Sequence, residues 1–278
     1  MRVSAPVGVF DSGIGGWSVL REIRRELPAE SLLYFADSAC APYGDRAASF
    51  VLARSLAITE WLIAAGAKAL VVACNTATSA AVAELRARCD LPIVAIEPAL
   101  KPAALQSQSG VVAVLATSRT IEGNKFSQLR EQYGSEVRIL AQACPGLVEQ
   151  VEAGELKTPA TASLLRAYVE PLLAQGADTL VLACTHYPWL GECLRQIVGD
   201  DITIIDPAPA VARELRRRLA EAHLLAAADT APVVRTITTG DPQRFLTQLH
   251  ALGETSVPVS GIALHTNAEL TEPGRILA

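Results

Sequence analysis

The sequence predicts an α/β fold of two pseudo-symmetric domains with largely parallel sheets and an active site in the cleft between them. Two observations support this prediction. Apolar segments typical of buried strands alternate with amphipathic segments typical of helices, a pattern that favours parallel sheets flanked by helices. The chain also repeats itself, because AAGAKALVVAC at 64–74 matches AQGADTLVLAC at 174–184 in seven of eleven positions. Such self-similarity indicates a duplicated unit.

Eight apolar segments have the length and composition of strands. Two of them contain the runs LVVA and LVLA, which suit strands buried on both faces of a sheet. A second, weaker repeat relates VGVFDSG at 7–13 to VAVLATS at 112–118. The predicted strands lie near residues 6–10, 31–36, 69–73, 93–96, 111–115, 137–141, 179–183 and 201–205.

Amphipathic segments between these strands predict helices. The basic run RELRRRL at 213–219 is interpreted as the solvated face of one of them. Beyond TTGDPQRF at 238–245 the sequence gives no assignment. The predicted helices include residues 17–27, 48–65, 76–89, 160–175 and 208–222.

Two proline-rich segments mark the expected crossings between the domains, IEPALKPA at 96–103 and IDPAPA at 205–210. If the chain crosses at both, one domain is inserted into the other. The first domain then combines residues 1–97 with 208–278, and the second covers residues 98–207.

The overall composition argues against several classes of function. The 278 residues are 50% hydrophobic and 19% charged, with a net charge of −5, so no general attraction to nucleic acid is expected. MRVSAPVGVFDSG lacks a signal-peptide pattern, and no apolar run approaches the roughly 20 residues of a membrane span. A cytoplasmic location is therefore expected, without a membrane partner.

Six cysteines occur in the sequence. In a cytoplasmic chain of this size they are expected to be reduced thiols. There is no C-x-x-C pair, and Cys184 with His186 makes a poor zinc site, because it has no second pair of ligands. No metal is expected.

Polar residues follow four of the predicted strands. Ligands of open parallel sheets bind beyond the carboxyl ends of strands, so these residues are candidates for a shared site. The glycines of DSGIGG at 11–16 are expected to allow a tight turn and to leave main-chain amides free to face an anion. The four groups are Asp11-Ser12-Gly13, Asp37, Cys74-Asn75-Thr76 and Cys184-Thr185-His186.

Cys74 and Cys184 end the two copies of the repeat, where each strand is expected to pass into a helix. A helix N-terminus favours thiolate, so a modest lowering of the cysteine pKa from about 8.5 is expected. Two thiols facing each other across a cleft could take a proton from one face of a carbon acid and return one to the other. Taken singly, each would be interpreted as core packing. The repeated pair with polar neighbours favours acid/base chemistry.

Six motifs run in order along most of the chain: FDSGIGG (10–16), FADSACAPYG (35–44), VVACNTAT (71–78), LATSRT (115–120), ACPGLVEQVE (143–152) and LVLACTHYP (180–188). In these residues the sequence resembles the glutamate racemases of the aspartate/glutamate racemase family. CNTA together with CTHYP is the specific part. The resemblance implies a cofactor-independent isomerase that interconverts L- and D-glutamate, supplying D-glutamate for peptidoglycan synthesis, cell-wall biogenesis and cell shape.

The resemblance also implies roles for individual residues. Cys74 and Cys184 correspond to the two catalytic thiols, Asp11 to an acid near the first, and Glu152 and His186 to helpers near the second. Without the resemblance, Asp11 could merely cap a turn, His186 could be a structural histidine, and Glu152 could be an ordinary surface acid. The family's substrate-contact positions are Asp11, Ser12, Pro42, Tyr43, Gly44, Asn75, Thr76, Thr117, Thr120, Thr185 and His186.

The residues leave other functions open. A racemase for aspartate or another small acid would differ in pocket length. A protein that binds a small anion without turnover would share the scaffold, but it has no need of paired thiols. A pyridoxal-phosphate racemase is disfavoured, because none of the four lysines (Lys68, Lys101, Lys125 and Lys157) has a recognisable cofactor setting. The family's habit also implies a homodimer.

Overall fold

Two parallel sheets form the framework of the molecule, a computed structural model in which residues 3–255 and 257–263 are described. Sheet A contains β1 (Val7–Asp11), β2 (Leu32–Ala36), β3 (Ala69–Val72), β4 (Ile93–Ala95), β9 (Val234–Thr238) and β10 (Val259–Gly261). Sheet B contains β5 (Val111–Ala116), β6 (Arg138–Ala143), β7 (Thr179–Ala183) and β8 (Thr203–Ile205). All the pairs between these strands are parallel.

Four consecutive strands of sheet A, β2-β1-β3-β4, have the same order as the four strands of sheet B. Sheet A runs β10-β9-β2-β1-β3-β4, and sheet B runs β6-β5-β7-β8. The registers correspond as well, since Val7 pairs with Ala69 in sheet A and Val112 pairs with Thr179 in sheet B. The predicted fold class is confirmed, and both sequence repeats relate strands in equivalent positions.

The glycine shared by the two repeats has a conformational cause. Gly66 and Gly176 precede β3 and β7, and their φ angles are +89° and +90°. Side chains other than glycine rarely tolerate this left-handed region. Each copy therefore uses its glycine for the turn from a helix into the strand that leads to the cysteine.

Helices cover the sheets, and all five predicted helices are present to within two residues at each end. The α-helices of the described residues are α1 (Trp17–Glu26), α2 (Ala48–Ala64), α3 (Asn75–Arg88), α4 (Leu100–Gln106), α5 (Ser118–Glu122), α6 (Asn124–Tyr133), α7 (Leu147–Glu152), α8 (Pro159–Leu173), α9 (Gly191–Val198), α10 (Ala208–Glu221) and α11 (Pro242–Ala251). Short 3-10 helices cover Ser38–Cys40, Tyr43–Asp45 and Tyr187–Leu190. None of the helices in this part of the chain has the length and hydropathy of a membrane span.

The C-terminal region contains structure that the sequence patterns do not predict. Strands β9 and β10 extend sheet A beyond β2, and α11 packs beside them. Strand β10 has only three residues, too few for a periodic pattern, whereas α11 begins with an Asp241 cap followed by Pro242. The division into domains at 97/98 and 207/208 stays a prediction, and residues 264–278 of its first domain lie outside the described residues.

One apolar cluster connects the sheets. It includes Val9 and Val71 of sheet A, Leu180 of sheet B, and Leu20 and Leu215 of the contacting helices α1 and α10. Burial of apolar surface stabilises a fold by roughly 25 cal/mol per Å². The shared cluster therefore fixes one sheet against the other and determines where their strand ends meet.

A buried ion pair stabilises the end of sheet A remote from the cysteine. Lys68 precedes β3, and its Nζ lies 2.6 Å from Glu30 Oε2. The same ammonium donates to Val3 O at 2.5 Å, and Glu30 Oε1 accepts from Ala226 N at 2.7 Å. Both side chains are almost fully buried. The pair thus connects four segments of the chain, those at Val3, Glu30, Lys68 and Ala226.

We expect Lys68→Met to lower the free energy of unfolding by about 3–5 kcal/mol, because it leaves the Glu30 carboxylate buried without its cation. Urea unfolding measures the change. The control is Lys157→Met, since Lys157 pairs with Glu192 on the surface and both side chains are more than half exposed. That change should cost no more than about 1 kcal/mol. Equal stability of the two variants would contradict the assignment.

Candidate active site

The glycine loop after β1 binds carboxylates of the protein itself. Asp11 ends β1, and its Oδ2 accepts hydrogen bonds from Gly13 N at 3.0 Å and Gly16 N at 3.1 Å. Ile14 N donates to Glu152 Oε1 at 3.1 Å. The expectation that this loop leaves its amides free for an anion is therefore wrong for these three, because Asp11 and Glu152 already accept from them. Asp11 does cap the turn.

The glycines of this loop are needed for close approach. A Cβ atom at Gly13 would overlap the Glu152 carboxylate, and one at Gly15 would overlap the His186 imidazole. Glu152 ends α7, and His186 follows β7, so both belong to elements of sheet B. The loop thus belongs to the half of the molecule that is built on sheet A. The Glu152 carboxylate and the His186 imidazole, from the half built on sheet B, lie against it.

Cys74 caps the N-terminus of α3. Its Sγ accepts from Ala77 N at 3.4 Å and donates to Ser12 Oγ at 3.9 Å. Burial raises the pKa of the Cys74 thiol, the negative charge of Asp11 raises it further, and the hydrogen bonds from Ala77 and with Ser12 oppose these effects. The expected lowering of the pKa is wrong for Cys74, because burial outweighs the helix N-terminus. Cys74 is a thiol in this environment.

Cys184 has a different neighbour. A 3-10 helix, Tyr187–Leu190, separates it from α9, so β7 does not pass directly into an α-helix as expected. The Sγ of Cys184 lies 3.7 Å from His186 Nδ1. On the other side of the ring, His186 Nε2 lies 2.8 Å from Glu152 Oε1. Thiol, imidazole and carboxylate form one continuous relay.

The electrostatics of the relay favour an ion pair between imidazolium and carboxylate. Burial alone would lower the pKa of His186, but its interactions with Cys184 and Glu152 raise it well above 6.5. Burial would raise the pKa of Glu152, yet the hydrogen bond and charge of His186, with hydrogen bonds from Ile14 and Gln248, hold it below 4.5. The Glu152 side chain is 18% exposed, so it is not an ordinary surface acid.

Asp11 connects the two cysteine environments. Its Oδ1 accepts from Thr185 Oγ1 at 3.2 Å, and its charge acts on Cys74. Burial raises the pKa of Asp11, and the charge of His186 opposes this. The charge of Cys184 also acts on Cys74. The structure therefore gathers all five predicted catalytic residues where the ends of β1, β3 and β7 meet.

Threonines from both halves meet beside Cys74. Thr76 Oγ1 lies 3.0 Å from Thr117 Oγ1 and 3.4 Å from Thr120 Oγ1, and the latter two lie 2.9 Å apart. Asn75, the first residue of α3, is 4% exposed, and its side-chain nitrogen and oxygen have no hydrogen-bond partner among the described residues. Polar groups buried in this way require a partner. These groups can bind a small polar molecule.

The loop Pro42–Tyr43–Gly44 is held by a buried acid. Asp37 accepts from Tyr43 Oη at 2.5 Å, from Arg54 Nε at 2.8 Å and Nη2 at 2.6 Å, and from Thr239 Oγ1 at 2.8 Å. A Cβ atom at Gly44 would lie 3.1 Å from Thr117 Cβ of the other half. The acid fixes this loop at the edge of the cleft, opposite α5.

Sequence reasoning missed several residues that join the halves. Ser18 Oγ donates to Thr185 O at 2.9 Å, and Trp189 Nε1 donates to Gly15 O at 3.2 Å. Gln248 of α11 donates to Glu152. A cavity of about 390 Å³ lies beside Glu152 and Gln248, and Pro42 is also in its wall. These contacts join positions far apart in the chain, so no local motif marks them.

All six cysteines are free thiols. Within residues 3–255 and 257–263, no three His, Cys, Asp or Glu side chains form a group that could hold a metal ion.

Comparisons with known proteins agree on one family. The sequence model of the family described as Asp/Glu/Hydantoin racemase matches residues 7–215. The glutamate racemase of Ectopseudomonas mendocina (strain ymp) is 57% identical over 242 residues, which cover 87% of this chain and 92% of that protein. The glutamate racemase isoform RacE1 from Bacillus anthracis has a TM-score of 0.87 at 33% identity, covering 94% of this chain and 98% of that one. The Escherichia coli glutamate racemase, solved with L-glutamate and the activator UDP-MurNAc-ala, has a TM-score of 0.80 at 30% identity, covering 92% and 98%.

We expect the His186 imidazole to titrate well above its ordinary value of 6.5, because Cys184 and Glu152 stabilise its protonated form. Glu152→Gln should lower that pKa, since it removes the carboxylate charge. Histidine ring signals followed by NMR across the pH range measure both values. His223 and His250 are exposed and serve as internal references. An imidazole that titrates equally in the two proteins would contradict the relay.

Proposed function

The chain belongs to the Asp/Glu/Hydantoin racemase family and is an amino-acid racemase, and we propose that it interconverts L- and D-glutamate by proton transfer between two cysteines. One observation carries the proposal: Cys74 and Cys184 are buried at equivalent strand ends of the duplicated scaffold, and Asp11, whose charge acts on Cys74, accepts a hydrogen bond from Thr185, the neighbour of Cys184. The 57% identical relative named glutamate racemase supports glutamate as the substrate.

The arrangement of two thiols suits an inversion at Cα. One cysteine, as thiolate, takes the Cα proton, and the electron pair of the broken C–H bond moves into the adjacent carboxylate. The opposite cysteine, as thiol, donates its proton to the other face, where the new C–H bond forms. The two sulfurs exchange protonation states, so the step requires no oxidant or reductant.

On the Cys74 side we assign Asp11 as the proton acceptor. Burial raises the pKa of Asp11, which brings the strength of this base closer to that of a thiolate. Burial and the Asp11 charge keep Cys74 a thiol before substrate binds. A substrate ammonium group in the cleft would add positive charge, and an opposite charge nearby favours the thiolate. Substrate binding would then make Cys74 a stronger acid.

On the Cys184 side we assign His186 as the proton-exchange partner and Glu152 as the group that orients it. His186 Nδ1 faces Cys184, and Nε2 faces Glu152. In this position the imidazole can exchange a proton with the Cys184 sulfur. Both cysteines can therefore exchange a proton, Cys74 with Asp11 and Cys184 with His186.

Substrate contacts are assigned to polar groups around the two thiols. The N-terminus of α3 and the unpartnered side chain of Asn75 suit a carboxylate. Hydroxyl groups shared between the halves suit the second carboxylate. The proposed substrate contacts are Asp11, Ser12, Pro42, Tyr43, Gly44, Asn75, Thr76, Thr117, Thr120, Thr185 and His186.

The proposed cellular role follows from the product. D-glutamate would be supplied in the cytoplasm for peptidoglycan synthesis, and through it for cell-wall biogenesis and cell shape. The reaction as written uses side chains alone and needs no cofactor. Assembly as a homodimer is part of this proposal.

The first test follows the Cα proton of L- and D-glutamate by NMR in D2O, without added cofactor. We expect loss of the Cα signal together with conversion of each enantiomer into the other, because the proton returned comes from a solvent-exchanged thiol. Aspartate in parallel tests the nearest alternative substrate. Folded protein that exchanges neither amino acid would overturn the proposal, and turnover of aspartate alone would reassign the substrate.

We expect Cys74→Ser and Cys184→Ser each to reduce racemisation by at least about 100-fold, because a hydroxyl is a far weaker acid than a thiol. Circular dichroism checks that each variant folds. Cys40→Ala and Cys89→Ala are the controls, since the Cys40 sulfur hydrogen-bonds to Asp37 and the Cys89 sulfur accepts from Leu91 N, and neither is assigned a proton transfer. Near-normal turnover in either serine variant would rule out a two-thiol mechanism.

A further inference from the structure

The carboxylate of Glu152 is held by residues from both halves of the molecule. Its Oε1 faces His186 Nε2 at 2.8 Å and accepts from Ile14 N at 3.1 Å. Its Oε2 accepts from Gln248 Nε2 at 3.0 Å. The same Nε2 donates to the main-chain oxygen of Glu152 at 2.5 Å. A single glutamine side chain thus binds both the side chain and the backbone of Glu152 at the end of α7.

Helix α11 holds Gln248 firmly in place. Phe245 and Leu249 are fully buried on either side of it in sequence. The ring of Phe245 lies 6.5 Å from that of Tyr34, and Tyr34 Oη donates to Gly13 O at 2.7 Å. The glutamine is therefore supported by the same packing that supports the glycine loop.

We propose that Gln248 is a positioning residue for racemisation, which acts through Glu152 and His186 on Cys184. It fixes Oε2 and the main chain of Glu152. Oε1 therefore stays within hydrogen-bond distance of His186 Nε2, and His186 Nδ1 stays beside the Cys184 thiol. This inference rests on the proposed function, in which the Cys184 relay transfers the Cα proton.

The chemistry of an amide suits this position. The Gln248 side chain donates a hydrogen bond without carrying a charge, so the Glu152 carboxylate keeps its full charge for His186. A cation would compete with the imidazole for that charge, and a second carboxylate would repel it. The titratable or charged side chains around Glu152 and across the adjoining cavity are His186, Asp11, Tyr34, Glu149, Asp241 and Arg244.

The contact also makes the relay depend on both halves. Cys184, His186 and Glu152 lie on elements of sheet B, whereas α11 packs on sheet A. Ile14 N of sheet A's half completes the binding of the same carboxylate. The Cys184 relay is therefore aligned only when the two halves are docked. Gln248 links this docking to the position of the His186 imidazole beside the thiol.

The decisive variant is Gln248→Met, which keeps length and flexibility but removes the donor. The control is Gln243→Met, an exposed position on the same helix. We expect Gln248→Met to lower kcat roughly 10- to 100-fold, the range for losing a hydrogen bond to a charged group. The His186 pKa should fall, because Glu152 Oε1 is no longer held against the imidazole whose protonated form it stabilises. Gln243→Met should match the wild type in both readouts.

Deuterium isotope effects with Cα-deuterated substrates show which of the two proton transfers is slowed in Gln248→Met. For the enantiomer whose proton Cys184 removes, the effect on kcat/KM should rise in Gln248→Met, because that transfer becomes more rate-limiting. For the other enantiomer it should fall or stay the same. Lower stability with unchanged kcat, isotope effects and His186 pKa in the folded protein would mean a structural role only and would overturn the proposal.

Gln248→Glu gives a second test if the methionine variant folds poorly. Its new carboxyl group can donate to Glu152 Oε2 only when protonated, because an ionised carboxylate has no donor and repels the neighbouring Glu152 carboxylate. Its activity relative to wild type should therefore recover as the pH falls, and a flat ratio would contradict positioning. Should the wild type not act on glutamate, the proposed function fails. A lowered His186 pKa in Gln248→Met would still support the positioning contact.

Discussion

The absence of side chains at Gly13 and Gly15 is the constraint on which the site depends. The Glu152 carboxylate and the His186 imidazole occupy the space that a Cβ atom at these positions would need. With that space available, the loop amides reach Asp11 and Glu152, and Trp189 reaches the carbonyl of Gly15. Any side chain here would displace the second half from the first and break the alignment from Glu152 to Cys184. The glycines therefore determine the distance between the two thiol environments.

Duplication gives the molecule equivalent positions, and the two copies then differ in the groups around them. Cys74 meets a helix N-terminus, Ser12 and the charge of Asp11, whereas Cys184 meets His186 and Glu152. Burial dominates at Cys74, and a hydrogen-bonded ion pair dominates beside Cys184. A substrate with two mirror-image forms needs a proton acceptor on each face, but the two acceptors need not be built alike. The geometry is nearly symmetric, and the electrostatics are not.

The sequence predicts the fold well where local patterns carry the information. Apolar runs locate all four strands of sheet B and strands β1, β2, β3 and β4 of sheet A, because the strands of parallel sheets are rich in apolar residues. The short strand β10 and helix α11 have no comparable signal. The repeat makes Cys74 and Cys184 candidates, and the family resemblance adds Asp11, Glu152 and His186. The partners of the glycine amides and the role of Gln248 depend on contacts between distant segments, which no local pattern encodes. The pKa of Cys74 escapes prediction for the same reason, since burial by remote segments outweighs the local helix end.

The two sides of the cleft are joined by contacts of different kinds. Beside the glycine loop, an apolar cluster common to both sheets lies under buried hydrogen bonds such as that from Ser18 to Thr185. Beside Thr76 and Thr117, the halves meet through hydroxyl groups, which water can replace at little cost. Separating the first side would expose apolar surface to solvent, whereas separating the second would mainly exchange one hydrogen bond for another. Opening at the threonine side would therefore cost less than opening at the glycine side, and it would admit a small polar molecule without disturbing the relay at Glu152.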